Sequence, residues 1–113
     1  MISRIVQITV QPEKIREFKS VLNEEYLPKI QAQPGFVENL EALDTNTGRF
    51  CCITVWQTPM DEQRYGQGLF QEISRKLMPL AKTTPTVDTL PIENSSALKI
   101  HAGKAGQSAR LSA

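Results

Sequence analysis

Residues 50–80 constrain the fold more than any other stretch. Phe50-Cys51-Cys52-Ile53-Thr54-Val55-Trp56-Gln57 is rich in β-branched and aromatic residues and reads as a strand. Thr58-Pro59 stops it, because proline cannot donate to a central ladder. From Met60 the apolar period changes: Tyr65, Leu69, Ile73 and Leu77 recur every fourth residue and share one helical face. A strand that runs straight into an amphipathic helix must lay that helix on its own sheet. The single tryptophan stands at the strand's exit, and Tyr65 lies just inside the helix. A pocket between sheet and helix is therefore the first place to look for a site, with Trp56 and Tyr65 as its walls. Gly66 and Gly68 fall inside the helical run, and each costs up to about 1 kcal/mol against alanine there. They predict a break into a short and a longer piece. As a phosphate loop, Gly66-Gln67-Gly68 lacks the full glycine pattern.

The rest of the chain builds around this unit. Ser3 to Val10 alternates, with Arg4, Val6, Ile8 and Val10 on one face and Ile5, Gln7 and Thr9 on the other. Gln11-Pro12-Glu13 opens a helix whose buried stripe is Ile15, Phe18, Leu22, Tyr26 and Ile30. Pro28 removes a backbone donor and is expected to kink that helix or end it near Leu27. Gln33-Pro34-Gly35 is a stop. Phe36 to Leu43 reads as a strand with no cleanly apolar face: Phe36, Glu38, Leu40 and Ala42 on one side, Val37, Asn39, Glu41 and Leu43 on the other. Turn residues 44–49 make a hairpin into the strand at Phe50. Thr86 to Ile92 is a short strand flanked by Pro85 and Pro91, as suits a sheet edge, with Val87, Leu90 and Ile92 to bury.

The order β-α-β-β-α-β predicts an α+β, ferredoxin-like split fold: a four-stranded antiparallel sheet with both helices on one face. The opposite face is left bare, and a second copy packed on it makes a dimeric α+β barrel. The domain spans residues 1–92. Residues 93–113 shift to Ser, Ala, Gly and Lys, with only Leu98 and Ile100 as an apolar cluster. This tail reads as mostly disordered, or as an arm that docks on the partner.

Composition excludes several classes. A formal net charge of +1 speaks against a nucleic-acid binder. No apolar run approaches the roughly 20 residues of a membrane span, and Met1-Ile2-Ser3-Arg4 lacks a signal-peptide core. A cytoplasmic protein is expected. Cys51 and Cys52 are adjacent in a strand and point to opposite faces. They read as small apolar residues rather than as a disulfide or an activated thiol. The single histidine, His101, stands in the polar tail, and the cysteine spacing does not suit zinc. Asp61, Glu62 and Glu72 on the second helix read as its solvated face.

Pro34-Gly35-Phe36, the hairpin, and Ile53-Thr54-Val55-Trp56-Gln57-Thr58 ahead of an amphipathic helix resemble the antibiotic biosynthesis monooxygenase family. Trp56-Gln57-Thr58 matches the family's Trp, any residue, Ser or Thr. The resemblance covers residues 1 to about 92. It implies homodimers with a pocket between sheet and helices, and in some members oxidation of polycyclic phenols by O2 with no metal or flavin. Carried onto this chain, the catalytic candidates are Tyr65 and Trp56. Gln57 and Arg64 are polar assistants, and Val6, Ile8, Leu69, Ile73 and Arg64 contact the substrate. No cofactor and no metal are expected. The histidine that many members carry at the Tyr65 position is absent. The family's haem-degrading branch uses Asn, Trp and His where this chain has Val6, Tyr65, and Ser74 or Arg75, so haem degradation is disfavoured. Two readings stay open: a cofactor-independent monooxygenase on a small aromatic or phenolic molecule, and a non-catalytic small-molecule-binding or structural homodimer.

Overall fold

The computed structural model describes residues 1–101 and 103–105. Its main sheet has four antiparallel strands in the order β2-β3-β1-β4, where β1 is Ile2–Thr9, β2 Phe36–Leu43, β3 Arg49–Trp56 and β4 Thr86–Pro91. This is the expected α+β split fold. Register fixes the faces. Val6 pairs with Cys52 and with Val87, and Arg4 pairs with Thr54 and with Thr89. The even-numbered residues of β1 and β3 therefore share one face, the one against the helices.

The first helical segment runs from a 3-10 turn at Pro12–Lys14 through α1, Ile15–Ser20, to α2, Leu27–Gln31. Pro28 does not end it at Leu27. Instead the six residues Val21–Tyr26 widen into a π-helix, in which the Leu27 N–H reaches the Leu22 carbonyl. Proline has no N–H to give, and its ring collides with the carbonyl four residues back in an α-helix. The wider turn relieves that collision and the chain continues. Phe18, Leu22, Tyr26 and Ile30 all lie in the core.

The second segment breaks at the glycines, though into two helices of nine residues each rather than a short and a longer piece. It consists of α3, Pro59–Gln67, α4, Leu69–Leu77, and a 3-10 turn at Met78–Leu80, with Gly68 between the two helices. Thr58 caps α3: its Oγ1 accepts from the Asp61 N–H at 3.1 Å, and Pro59 follows at the first helical position. Tyr65, Ile73 and Leu77 are buried, and Leu69 packs partly against them.

Two expectations are corrected. A bulge between Phe36 and Glu38 shifts β2 by one residue, so Phe36 pairs with Trp56 and joins the helix side with Asn39, Glu41 and Leu43. Val87 and Leu90 are not buried: they are 39% and 56% exposed. Among the described residues, strand β4 pairs only with β1 and lies at the sheet edge. Leu90 and Leu40, the latter 62% exposed, lie on the helix-free face.

After β4, the Ile92 N–H bonds the Met1 carbonyl, and the chain turns into two short paired strands, β5 Ile100–His101 and β6 Lys104–Ala105. Ile100 is buried. Of the segment read as disordered or as a docking arm, positions 102 and 106–113 lie outside the described residues.

Candidate functional site

A narrow cavity opens between the sheet and both helical segments. Val6, Ile8, Phe50, Cys52 and Thr54 form its floor; Tyr65, Phe70, Ile73 and Leu77 are among its helical walls. Its lining is almost wholly apolar. It has about 60 Å³ of room, where one water needs some 10–15 Å³. A few waters fit; an aromatic ring, which occupies a cavity of about 150 Å³, enters only as the walls part. Met78, 40% exposed, and Pro85 mark the mouth, beside the edge strand.

Tyr65 supplies the cavity's most distinctive polar group. Its ring is 5% exposed and stacks on Trp56 with centroids 4.6 Å apart and planes 25° apart. Its hydroxyl makes no hydrogen bond to any described residue. Burial holds the hydroxyl's pKa well above its ordinary value of 10, the Cys52 thiol pushes it further up, and the Arg4 charge draws it partly back. It is thus a donor, never a base, at neutral pH. Thr54 is the second donor. Its Oγ1 accepts from the Trp56 Nε1–H at 2.9 Å, which leaves its own hydrogen uncommitted.

Cys52 lies in the floor with its proton already directed. The thiol donates to Asn39 Oδ1 at 3.3 Å, and Asn39 Nδ2 donates to Glu41 Oε2 at 3.0 Å. Burial first, then the charges of Glu41 and Cys51, push the thiol up to about 12. It is an inert wall, which agrees with its reading as a small apolar residue. Cys51 takes the opposite face, beside Gln7 and Ala42.

The structure brings Val6, Ile8, Tyr65 and Ile73 together in the cavity. It sets the other sequence-derived positions elsewhere. Trp56 is fully buried, sealed between Tyr65 and the edge-on ring of Phe36 at 5.9 Å, and stands behind the cavity wall. Leu69 packs beside the core without reaching the cavity. The Arg64 side chain is 58% exposed and pairs with Asp61 at 3.6 Å. Gln57 is exposed beyond the end of β3, and its N–H bonds the Gly35 carbonyl.

One group escaped sequence reasoning. Glu62 is not solvated: it is 7% exposed and bonds Arg4 Nη1 at 2.5 Å, with Arg4 itself 8% exposed. Arg4 stands among apolar residues on the helix-side face of β1, which was the available signal. Its partner lies 58 positions away and could not be named. Gly66 makes the pairing possible, since a Cβ there would stand 2.6 Å from Arg4 Nη1. Among the described residues, no three His, Cys, Asp or Glu side chains converge as a metal site, and no helix is long and apolar enough to cross a membrane.

No family profile and no curated protein matches the sequence. Solved structures do match. A protein from Nitrosomonas europaea, assigned as an antibiotic biosynthesis monooxygenase, superposes with a TM-score of 0.72 at 14% identity, over 83% of this chain and 100% of that one. SnoaB, a cofactor-independent oxygenase from Streptomyces nogalater, gives 0.68 at 21% identity, over 84% and 95%. The ActVA-Orf6 monooxygenase of Streptomyces coelicolor, solved with nanaomycin D bound, gives 0.70 at 14% identity, over 83% and 88%. At these identities the likeness is one of fold, and the chain has the fold of the antibiotic biosynthesis monooxygenases, cofactor-independent oxygenases among them.

Proposed function

We propose that this protein is a cofactor-independent oxygenase of a small aromatic or phenolic molecule. One observation carries the reading: a tyrosine hydroxyl with no hydrogen-bond partner among the described residues, at an apolar cavity of a fold that hosts such enzymes. The substrate ring lies among Val6, Ile8, Phe50 and Ile73. Tyr65, with Thr54 beside it, donates to the phenolate oxygen. Donors fixed before the reaction stabilise developing charge without reorganising.

Among the described residues, those that line the cavity include no histidine and no carboxylate. The substrate must therefore ionise readily by itself and lose its proton to water at the mouth. Electron-rich hydroquinones and phenols meet this requirement. In the simplest balance, a ring CH2 becomes C=O. The substrate gives four electrons to O2, one oxygen atom enters the carbonyl, and the other leaves as water. The active unit on this reading is residues 1–92, in a cytoplasmic homodimer joined through the helix-free sheet face.

The missing base also favours a second reading, in which the same cavity holds a small aromatic molecule without turning it over. Oxygen uptake against a panel of phenols and hydroquinones separates the two. Uptake that Tyr65→Phe slows about a hundredfold supports the oxygenase. Saturable binding with no uptake across the panel supports the binding protein.

A further inference from the structure

The cavity's own chemistry leaves the Arg4–Glu62 pair unexplained. Both side chains are buried between β1 and α3, and Arg4 Nε is buried with no hydrogen-bond partner among the described residues. Removing two charges from water and leaving a donor unmet is costly. Apolar residues of the same volume would join the two elements at least as well. The geometry shows what the charge holds instead. The guanidinium carbon lies 4.2 Å from the centre of the Phe70 ring and 5.9 Å from that of Tyr65. At such range a cation is drawn to an aromatic face. Phe70 lines the cavity and meets Tyr65 edge-on, with centroids 6.0 Å apart. Tyr65 is thus held between two rings. Trp56 is locked in the core, whereas Phe70 sits on α4, two residues past the break at Gly68.

We propose that Arg4 is a positioning residue for the cavity: anchored by Glu62 and admitted by the missing side chain at Gly66, its guanidinium holds the Phe70 ring, and through that ring fixes Tyr65 with its hydroxyl toward the substrate. The inference rests on the oxygenase reading only for its kinetic readout. The Gln71 side chain bridges the break at Gly68, donating to the Gly66 carbonyl at 2.9 Å, and the cation adds a second tie, from the Phe70 ring on the first turn of α4 to the sheet. Glu62 keeps the guanidinium from swinging out to water.

The test begins with Arg4→Met combined with Glu62→Met, which removes both charges at similar volume and strands no polar group. Three measurements are made: near-UV circular dichroism of the Trp56–Tyr65 stack, fluorescence titration with 2-naphthol as the probe ligand, and kcat on any phenol that supports oxygen uptake. The double variant is expected to keep its far-UV spectrum and to lose at least half of the near-UV band. Its 2-naphthol affinity should fall about fivefold and its kcat at least tenfold. Arg4→Lys keeps a cation over Phe70 and is expected to restore most of the band and the affinity. A double variant with an unchanged near-UV band and unchanged 2-naphthol affinity overturns the proposal. Should it fail to fold, Phe70→Leu decides, because it removes the ring and keeps the ion pair. Loss of the near-UV band supports Arg4, with affinity set aside because Phe70 itself lines the cavity, and a wild-type band overturns its role. If wild-type protein consumes no oxygen with any phenol, the oxygenase reading falls, and the spectrum and the titration still judge Arg4.

Discussion

Tyr65 lies nearly parallel to Trp56, 4.6 Å away, and the two aromatics divide one task. The indole, fully buried and bonded to Thr54, is a fixed backing. The phenol in front of it brings a hydroxyl to the cavity with no partner among the described residues.

Tyr65→Phe should therefore leave the fold almost untouched. No internal hydrogen bond is lost, so the change in unfolding free energy stays within about 1 kcal/mol of zero. On the oxygenase reading kcat falls about a hundredfold, the usual effect of removing one oxyanion donor. Denaturant titration beside oxygen-uptake kinetics checks both. A loss of several kcal/mol would make Tyr65 a core residue and nothing more.

Trp56→Phe is expected to behave oppositely. It shrinks a fully buried ring, leaves a cavity and removes the donor to Thr54. A loss of about 2–3 kcal/mol follows, and ligand affinity weakens with it. Urea melts of the two variants side by side give the contrast.

Gly66→Ala inverts a helix rule. In an ordinary helix interior the change stabilises by about 1 kcal/mol. Here the new methyl meets the Arg4 guanidinium, and the expected sign is destabilising. In an Arg4→Val background the same change should recover the ordinary sign. The coupling from a double-mutant cycle measures the clash. A Gly66→Ala protein more stable than wild type would show that the guanidinium moves aside freely.

High pH should loosen the protein from the cavity outward. Cys52 is raised from 9.0 to about 12, and Tyr65 is also raised. A folded-state pKa above the unfolded one gives stability that is whole below the unfolded value and lost as pH climbs toward the folded one. The melting temperature should fall from about pH 9 upward as the unfolded thiol ionises. Cys52→Ala should flatten the first part of that fall, as scanning calorimetry from pH 7 to 11 would register. Native Cys52 should also resist alkylation at pH 8, since its thiolate is scarce there.

Leu40→Glu together with Leu90→Lys tests the proposed homodimer. Both leucines are more than half exposed on the helix-free face. The pair of charges should turn a dimer into a monomer by light scattering, with the far-UV spectrum unchanged. A dimer that survives both charges is built on another surface.

Periodicity made the sheet, its edge strand and the helix break readable, because each is encoded within a few neighbouring residues. Tyr65 was reachable the same way, from the apolar face that it shares with Ile73 and Leu77. Trp56 looked like a cavity wall because it closes a strand. Only the bulge at Phe36, invisible to a strict period of two, shows what covers its other side. Glu62 looked solvated because a helix pattern weighs a charge by its neighbours in sequence, and its neutralising partner comes from β1. Arg64 is the opposite case: its partner, Asp61, stands one turn earlier on the same helix, within reach of the local pattern. Long-range pairing, more than local preference, decides which polar groups reach the cavity.

The wide turn at Val21–Tyr26 has one more consequence, in angular phase. Phe18, Leu22, Tyr26 and Ile30 repeat every four residues, and in a straight α-helix each such step overshoots by about 40°. Three steps would carry Ile30 about a third of the way around the helix from Phe18. A π-turn holds more residues per revolution, so the step from Leu22 to Tyr26 drifts backward and cancels part of the advance. All four side chains consequently stay at 5% exposure or less. A strict four-residue repeat is one that a uniform α-helix cannot keep in line, and here Pro28 sets the correction in the middle of the run.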